Sequence, residues 1–283
     1  MIPRYIDIHT HVQFEAFKVD ARDVAERALH EGVWMIQVGT QRDTSEAAIL
    51  FASSFKEGVY ATVGLHPIHT SASFHDTKEL GAPGKEFTSR GEIFDFASYK
   101  KLAEHPKVLA IGECGLDYYR LSEETKIKQV KTFEEQIHLA NELHKPLMLH
   151  IRNPLRSSGS VASAYEDAAL VLKAHAKIGG NVHFFAGTWE EAKRFLDLGF
   201  TLSFTGVVTF AHQYDEVIKN TPLDMIMSET DAPYVAPVPY RCKRNEPLYV
   251  KEVVKRIAEI KGEDFEKVRD ALVANAERVF KVA

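Results

Sequence analysis

The stretch Tyr5-Ile6-Asp7-Ile8-His9-Thr10-His11 is a short, β-prone apolar run that ends on two histidines. Alternate strand residues share a face, so His9 and His11 are expected to point the same way, with Asp7 behind them. Further apolar runs follow at 33–38, 60–65, 108–112, 146–150, 181–185, 200–204 and 225–228, making eight strands with the first. Each of the first seven is followed by a segment with helical spacing or room for one. Regular strand–helix alternation implies a parallel sheet, and eight units imply closure into a single-domain (β/α)8 barrel, an α/β fold.

Local signals agree with that reading. Gly32 and Gly58 sit where the first two helices should stop, and Thr188 with Glu191 forms a capping-box pattern. Pro247 suits the start of the helix after Asn245, and 263–282 reads as a final amphipathic helix. Two segments break the rhythm, 68–90 and 153–162, and both read as long loops at the strand-end face.

The totals exclude several classes. The chain has 283 residues, 45% hydrophobic and 27% charged, with a formal net charge of -5, so it is no generic nucleic-acid coat protein. Two cysteines make no disulfide scaffold. The opening residues show no signal peptide, and no apolar run reaches the roughly 20 residues of a membrane helix, so a cytoplasmic protein without a membrane partner is expected.

The chemistry-bearing residues recur at strand ends, where active sites of this fold lie. Two imidazoles one strand repeat apart can chelate a divalent ion; an isolated H-x-H is as often ordinary, but at the end of a barrel strand the metal reading is favoured. Glu113 follows the fourth apolar run between Gly112 and Gly115. His150 and His183 each interrupt an apolar run, and Asp231 follows the eighth. A lone histidine in such a run is more often a core residue, yet two at successive strand ends, added to the first pair, argue for a shared site. Arg241-Cys242-Lys243-Arg244 reads equally as a solvated basic turn or as cationic donors near that site. Tyr118, Tyr119, Phe185, Trp189, Tyr234 and Tyr240 are candidates for stacking bases, although aromatics near strand ends are mostly core. Cys114, beside Glu113, has no partner base in the sequence and is not read as a nucleophile.

Taken together, D-x-H-x-H from Asp7, G-x-H-P from Gly64, G-E-x-G-L-D from Gly112, L-H-x-R from Leu149, H-x-F-x-G from His183, E-T-D-x-P from Glu229 and R-x-K-R-N-E-P from Arg241 resemble the TatD family of metal-dependent deoxyribonucleases, within the amidohydrolase-like barrels. The motifs stand in family order from residue 5 to the last helix. The resemblance implies two divalent metal ions, one on His9, His11, Glu113 and Asp231 and one on Glu113, His150 and His183, with Glu113 as bridge. It implies His66 on substrate phosphate or a bound water rather than on metal, and supporting or substrate-binding roles for Asp117, Arg152 and Glu229; Arg241 and Arg244 are added as substrate-binding candidates from their position. The catalytic residues would be Glu113, Asp231 and His66. Zn suits the histidine-rich set, and Mn, Mg, Co or Ni also fit mixed ligation. The loops after His66 and Arg152 look longer than the family's.

The expected activity is phosphodiester hydrolysis by a water activated between two cations about 3.5–4 Å apart, with DNA ends or small phosphodiesters as substrates, attacked in a 3'-5' exonuclease fashion. The low positive charge favours holding a few nucleotides at an end over gripping a duplex. Two alternatives remain at this stage: an amidohydrolase or lactonase on the same metal site, and a metal-binding barrel without turnover.

Overall fold

A computed structural model describes residues 2–75, 87–120, 122–155 and 163–282. Eight strands form the main sheet: β1 Tyr5–Thr10, β2 Val33–Val38, β3 Val59–Val63, β6 Val108–Asp117, β7 Leu147–Arg152, β8 Gly180–Val182, β9 Thr201–Phe204 and β10 Ile226–Ser228. They lie in the order β1-β2-β3-β6-β7-β8-β9-β10, with every ladder parallel. The helices α1 Ala21–His30, α2 Arg42–Ser53, α3 Phe96–Ala103, α4 Glu123–Leu143, α5 Ala164–His175, α6 Trp189–Asp197 and α7 Asp215–Asn220 alternate with them, and α8 Val250–Lys261 and α9 Phe265–Phe280 end the chain. This is the expected (β/α)8 barrel.

The alternation of apolar residues divides most of the strands between two cores. Val33, Met35, Val59 and Ala61 pack with Ala25, Ala28, Ala48 and Ala52 of the helices. Ile6, Ile8, Trp34, Ile36, Tyr60, Met148 and Met227 instead cluster with one another and with Phe280 of α9. Their strand faces are opposite to the helix-packed set, so this second cluster fills the barrel interior.

The two ends of the sheet meet at a seam between β1 and β10. It holds a single parallel bridge, Thr10 to Ala232. His11 N donates to Ala232 O at 2.8 Å and Asp231 N to His9 O at 2.9 Å. Asp7, fully buried, adds a stitch: it accepts from Thr230 N at 2.8 Å and Thr230 Oγ1 at 2.5 Å. Burial pushes its carboxyl well above its ordinary value, against hydrogen bonds from Thr230 and His9 that pull downward.

Three local expectations change. The segment 68–90 is not a plain loop: its described part holds a 3-10 turn, Pro67–Thr70, and an antiparallel pair, β4 Ala72–His75 with β5 Phe87–Arg90. Residues 76–86 of it, and 156–162 of the second expected loop, lie outside the described residues. The fourth barrel strand runs on to Asp117, so Glu113 lies within a strand and not after it. The sixth stops at Val182, because Phe184 takes a left-handed backbone (φ 44°) that no strand continues. No helix among the described residues is long and apolar enough to cross a membrane.

Candidate metal centre

The strand ends deliver their polar side chains through irregularities in the ladders. The β1–β2 register shifts between Asp7 and Thr10, so simple alternation does not carry through to His9 and His11; the two converge all the same, with Nε2 atoms 3.2 Å apart. The β6–β7 register shifts between Ile111 and Cys114, a bulge that re-aims Glu113. Gly112 at that bulge has φ 152°, and a Cβ there would lie 2.4 Å from Met148 O, so only glycine fits. Asp231 turns inward through a left-handed backbone, φ 54°. Asn245, fully buried, braces its loop by donating to Thr230 O and Tyr234 O at 2.8 and 2.6 Å.

All six expected ligands meet around Glu113. Its Oε1 is 2.9 Å from both His150 Nδ1 and His183 Nε2, and its Oε2 is 3.5 Å from His9 Nε2. Asp231 Oδ1 lies 3.4 Å from His11 Nε2 and 3.7 Å from His9 Nε2. Three overlapping groups bring potential ligand atoms within 4.8 Å of one another: His9-Glu113-His183, His9-His11-Asp231 and His66-Glu113-His150.

The partners on the far side of each ring decide what faces the centre. His11 Nδ1 lies 2.9 Å from the carbonyl of Val38, which can only accept, so Nε2 of the neutral ring presents a lone pair. His150 Nε2 lies 2.8 Å from Asp117 Oδ2, which leaves Nδ1 of the neutral ring as an acceptor. Burial raises the Asp117 carboxyl, but His150 and Arg152 outweigh it and hold it at about 2, so it stays an anion. Lone pairs of His11 and His150 thus converge with the carboxylates of Glu113 and Asp231. Acceptors crowded this closely repel unless protons or a cation lie among them.

The titration behaviour reports the same demand for positive charge. Burial works against charging His183, yet Glu113 and Glu229 raise its imidazole well above the ordinary value. His150 is likewise raised by Asp117 and Glu113 against burial. Burial opposes ionisation of Glu113 and Asp231, but the histidines around them hold both below the ordinary carboxylate range. The donor set fits divalent cations.

His66 differs from the other histidines. Ile68 N donates to its Nδ1 at 3.2 Å, and burial with His150 nearby lowers the ring to about 4. A neutral ring that accepts at Nδ1 carries its proton on Nε2, which faces Glu113 Oε1 at 3.3 Å. His66, which also lies in one of the three groups, is thereby placed as a hydrogen-bond donor toward Glu113.

The cationic candidates separate. Arg152 lies at the end of β7 with its guanidinium carbon 4.0 Å from the centre of the Tyr119 ring. Arg241 stacks on Phe210 at 3.8 Å and donates to Ala236 O. Arg244 is occupied elsewhere: it clamps Asp20 with both terminal nitrogens, at 2.8 and 2.6 Å, and donates to Ala16 O, tying the loop after β10 to the start of α1. Its short, planar-pairing distances satisfy the fork that was expected to meet phosphate. Among the aromatics, Tyr118 and Phe185 are core residues, and the Tyr118 hydroxyl donates to Asp167. Tyr240 stacks flat on Tyr249, 3.8 Å apart. No sequence signal marks the Val38 carbonyl; Thr230 and Asn245 stand inside the E-T-D-x-P and R-x-K-R-N-E-P motifs, but nothing in those motifs says that they brace the site.

The family model described as TatD related DNase matches residues 6–281. The chain belongs to the TatD family. A relative from Bacillus subtilis (strain 168), the uncharacterized metal-dependent hydrolase YabD, is 36% identical over 281 residues, covering 98% of both chains. A second from Erwinia billingiae (strain Eb661), named 3'-5' ssDNA/RNA exonuclease TatD, is 31% identical and also covers 98% of both. The solved structure of YJJV, a TatD homolog from Escherichia coli K12, superposes over 100% of both chains with a TM-score of 0.79 at 26% identity. This TatD-family chain is therefore a metal-dependent hydrolase.

Proposed function

We propose that this protein cleaves phosphodiester bonds in DNA, working from 3' ends, with His9, His11, Glu113 and Asp231 on one divalent ion and Glu113, His150 and His183 on a second. The observation that carries the reading is the crowd of buried acceptors around Glu113, with one proton donor, His66 Nε2, aimed into it. The names of the family and of the Erwinia relative support a nucleic-acid substrate.

Two ions so held would make a water nucleophilic near neutral pH and offset charge on the phosphoryl oxygens. Asp231, ionised and only partly covered, accepts the proton that the attacking water loses. His66 donates Nε2–H to a phosphoryl oxygen; its low pKa keeps it a neutral donor that holds its proton. Arg152 contributes charge at the rim and steadies the phosphate.

End-labelled single-stranded DNA, digested in the presence of Zn, Mn, Mg, Co or Ni with a chelator control, tests this. Stepwise shortening from the 3' end that the chelator stops is the expected result. No cleavage of DNA or bis-p-nitrophenyl phosphate, with turnover of a lactone or dipeptide, would assign the centre to amidohydrolase or lactonase chemistry.

A further inference from the structure

Behind the ring of acceptors lies a second carboxylate, Glu229, fully buried. One of its oxygens accepts from Phe184 N, the residue whose left-handed backbone ends β8. The other, Oε2, stands 3.9 Å from His9 Nδ1 and 3.5 Å from His183 Nδ1. These three atoms are buried, and none has a hydrogen-bond partner by strict geometry among the described residues. The two rings lie face to face, 3.8 Å apart and 13° from parallel, so both present the same edge to that one oxygen.

Buried polar atoms of this kind need partners, and these have only one another. A carboxylate oxygen can accept two hydrogen bonds and donates none, so an Nδ1 that pairs with Oε2 does so through its own proton, more closely for His183 than for His9. The Nε2 lone pairs of both rings are then left facing the centre, one toward each proposed ion.

We propose that Glu229 is a positioning residue that sets the tautomer of one imidazole at each metal position, so that the two ions are bound or lost together. This rests on the two-ion reading above but not on the choice of DNA as substrate. Asp117 provides the contrast, since its carboxylate touches the ring of His150 alone among the six ligands.

Glu229→Gln distinguishes the two. The glutamine carbonyl takes the Phe184 N–H, and its NH2 then faces both rings and pushes their protons to Nε2. Loss of such an outer hydrogen bond costs about 10–100-fold in metal affinity. Chelator-stripped full-length protein would be titrated with Zn2+ against a competing dye, with bound zinc counted by mass spectrometry and folding followed by circular dichroism. The expected result is two ions in the unsubstituted protein, both weakened about 10–100-fold in Glu229→Gln, and one of them weakened in Asp117→Asn. A folded Glu229→Gln protein that keeps either ion at full affinity would overturn the inference. Nitrogen NMR of the zinc-loaded, unsubstituted protein gives a second readout that needs no variant: Nδ1–H signals are expected on both His9 and His183, and ligation through Nδ1 at either ring would equally overturn it. An unsubstituted protein that holds fewer than two zinc ions refutes the two-ion centre, and the inference with it.

Discussion

Thr230 carries the most quantitative prediction, because it is the point where the barrel is sewn shut. Its hydroxyl donates to Asp7 Oδ2 at 2.5 Å and accepts from Ala232 N at 3.2 Å, all within fully buried surroundings. Thr230→Val keeps the side-chain shape and removes both bonds. It strands one buried acceptor and one buried donor, each costing about 1–3 kcal/mol, so a combined loss of about 2–6 kcal/mol is expected. For a chain of this size that lowers Tm by roughly 3–10 °C. The seam has only one ladder bridge in reserve, and the same strand ends carry His9 and Asp231, so zinc retention should fall as well. Thermal unfolding of chelator-treated protein isolates the structural part. A metal-free Tm within about 1 °C of the unsubstituted protein would refute the view that Asp7 and Thr230 hold the barrel closed.

Glu113→Ala removes the carboxylate that lies within 3.5 Å of four histidines and should reduce phosphodiester hydrolysis on the order of 10³-fold or more, with loss of bound metal; full activity would remove its bridging role. Metal binding should release protons at neutral pH, because His183 and His150, raised by their carboxylate neighbours, stay protonated until the pH passes their folded values and must be neutral to ligate. Affinity therefore rises with pH, and calorimetry in two buffers of different ionisation enthalpy should give different heats; identical heats would contradict the assignment. Arg244→Ala should cost at most about 1–2 kcal/mol through the half-exposed Asp20 pair and leave KM for bis-p-nitrophenyl phosphate unchanged. A tenfold higher KM at unaltered Tm would instead make Arg244 a substrate contact.

The sequence by itself determined the barrel and the ligand types. Apolar runs separated by helical segments admit few architectures, and histidines and acids that recur at the ends of those runs argue for a shared site where one alone would not. His9, His11, Glu113, His150, His183 and Asp231 were legible for that reason. Only the tertiary structure decided which atom of each residue faces the centre. That choice rests on partners far away in the chain: the Val38 carbonyl behind His11, Asp117 behind His150, and Glu229 behind both His9 and His183. It also decided the fate of the arginines. Arg244 reads from the sequence equally as part of a solvated basic turn or as a cation near the site, and Asp20, 224 positions away, claims its guanidinium. Strand and helix periods are local and can be read along the chain, whereas hydrogen-bond partners and tautomers are set by contacts that exist only once the barrel has closed.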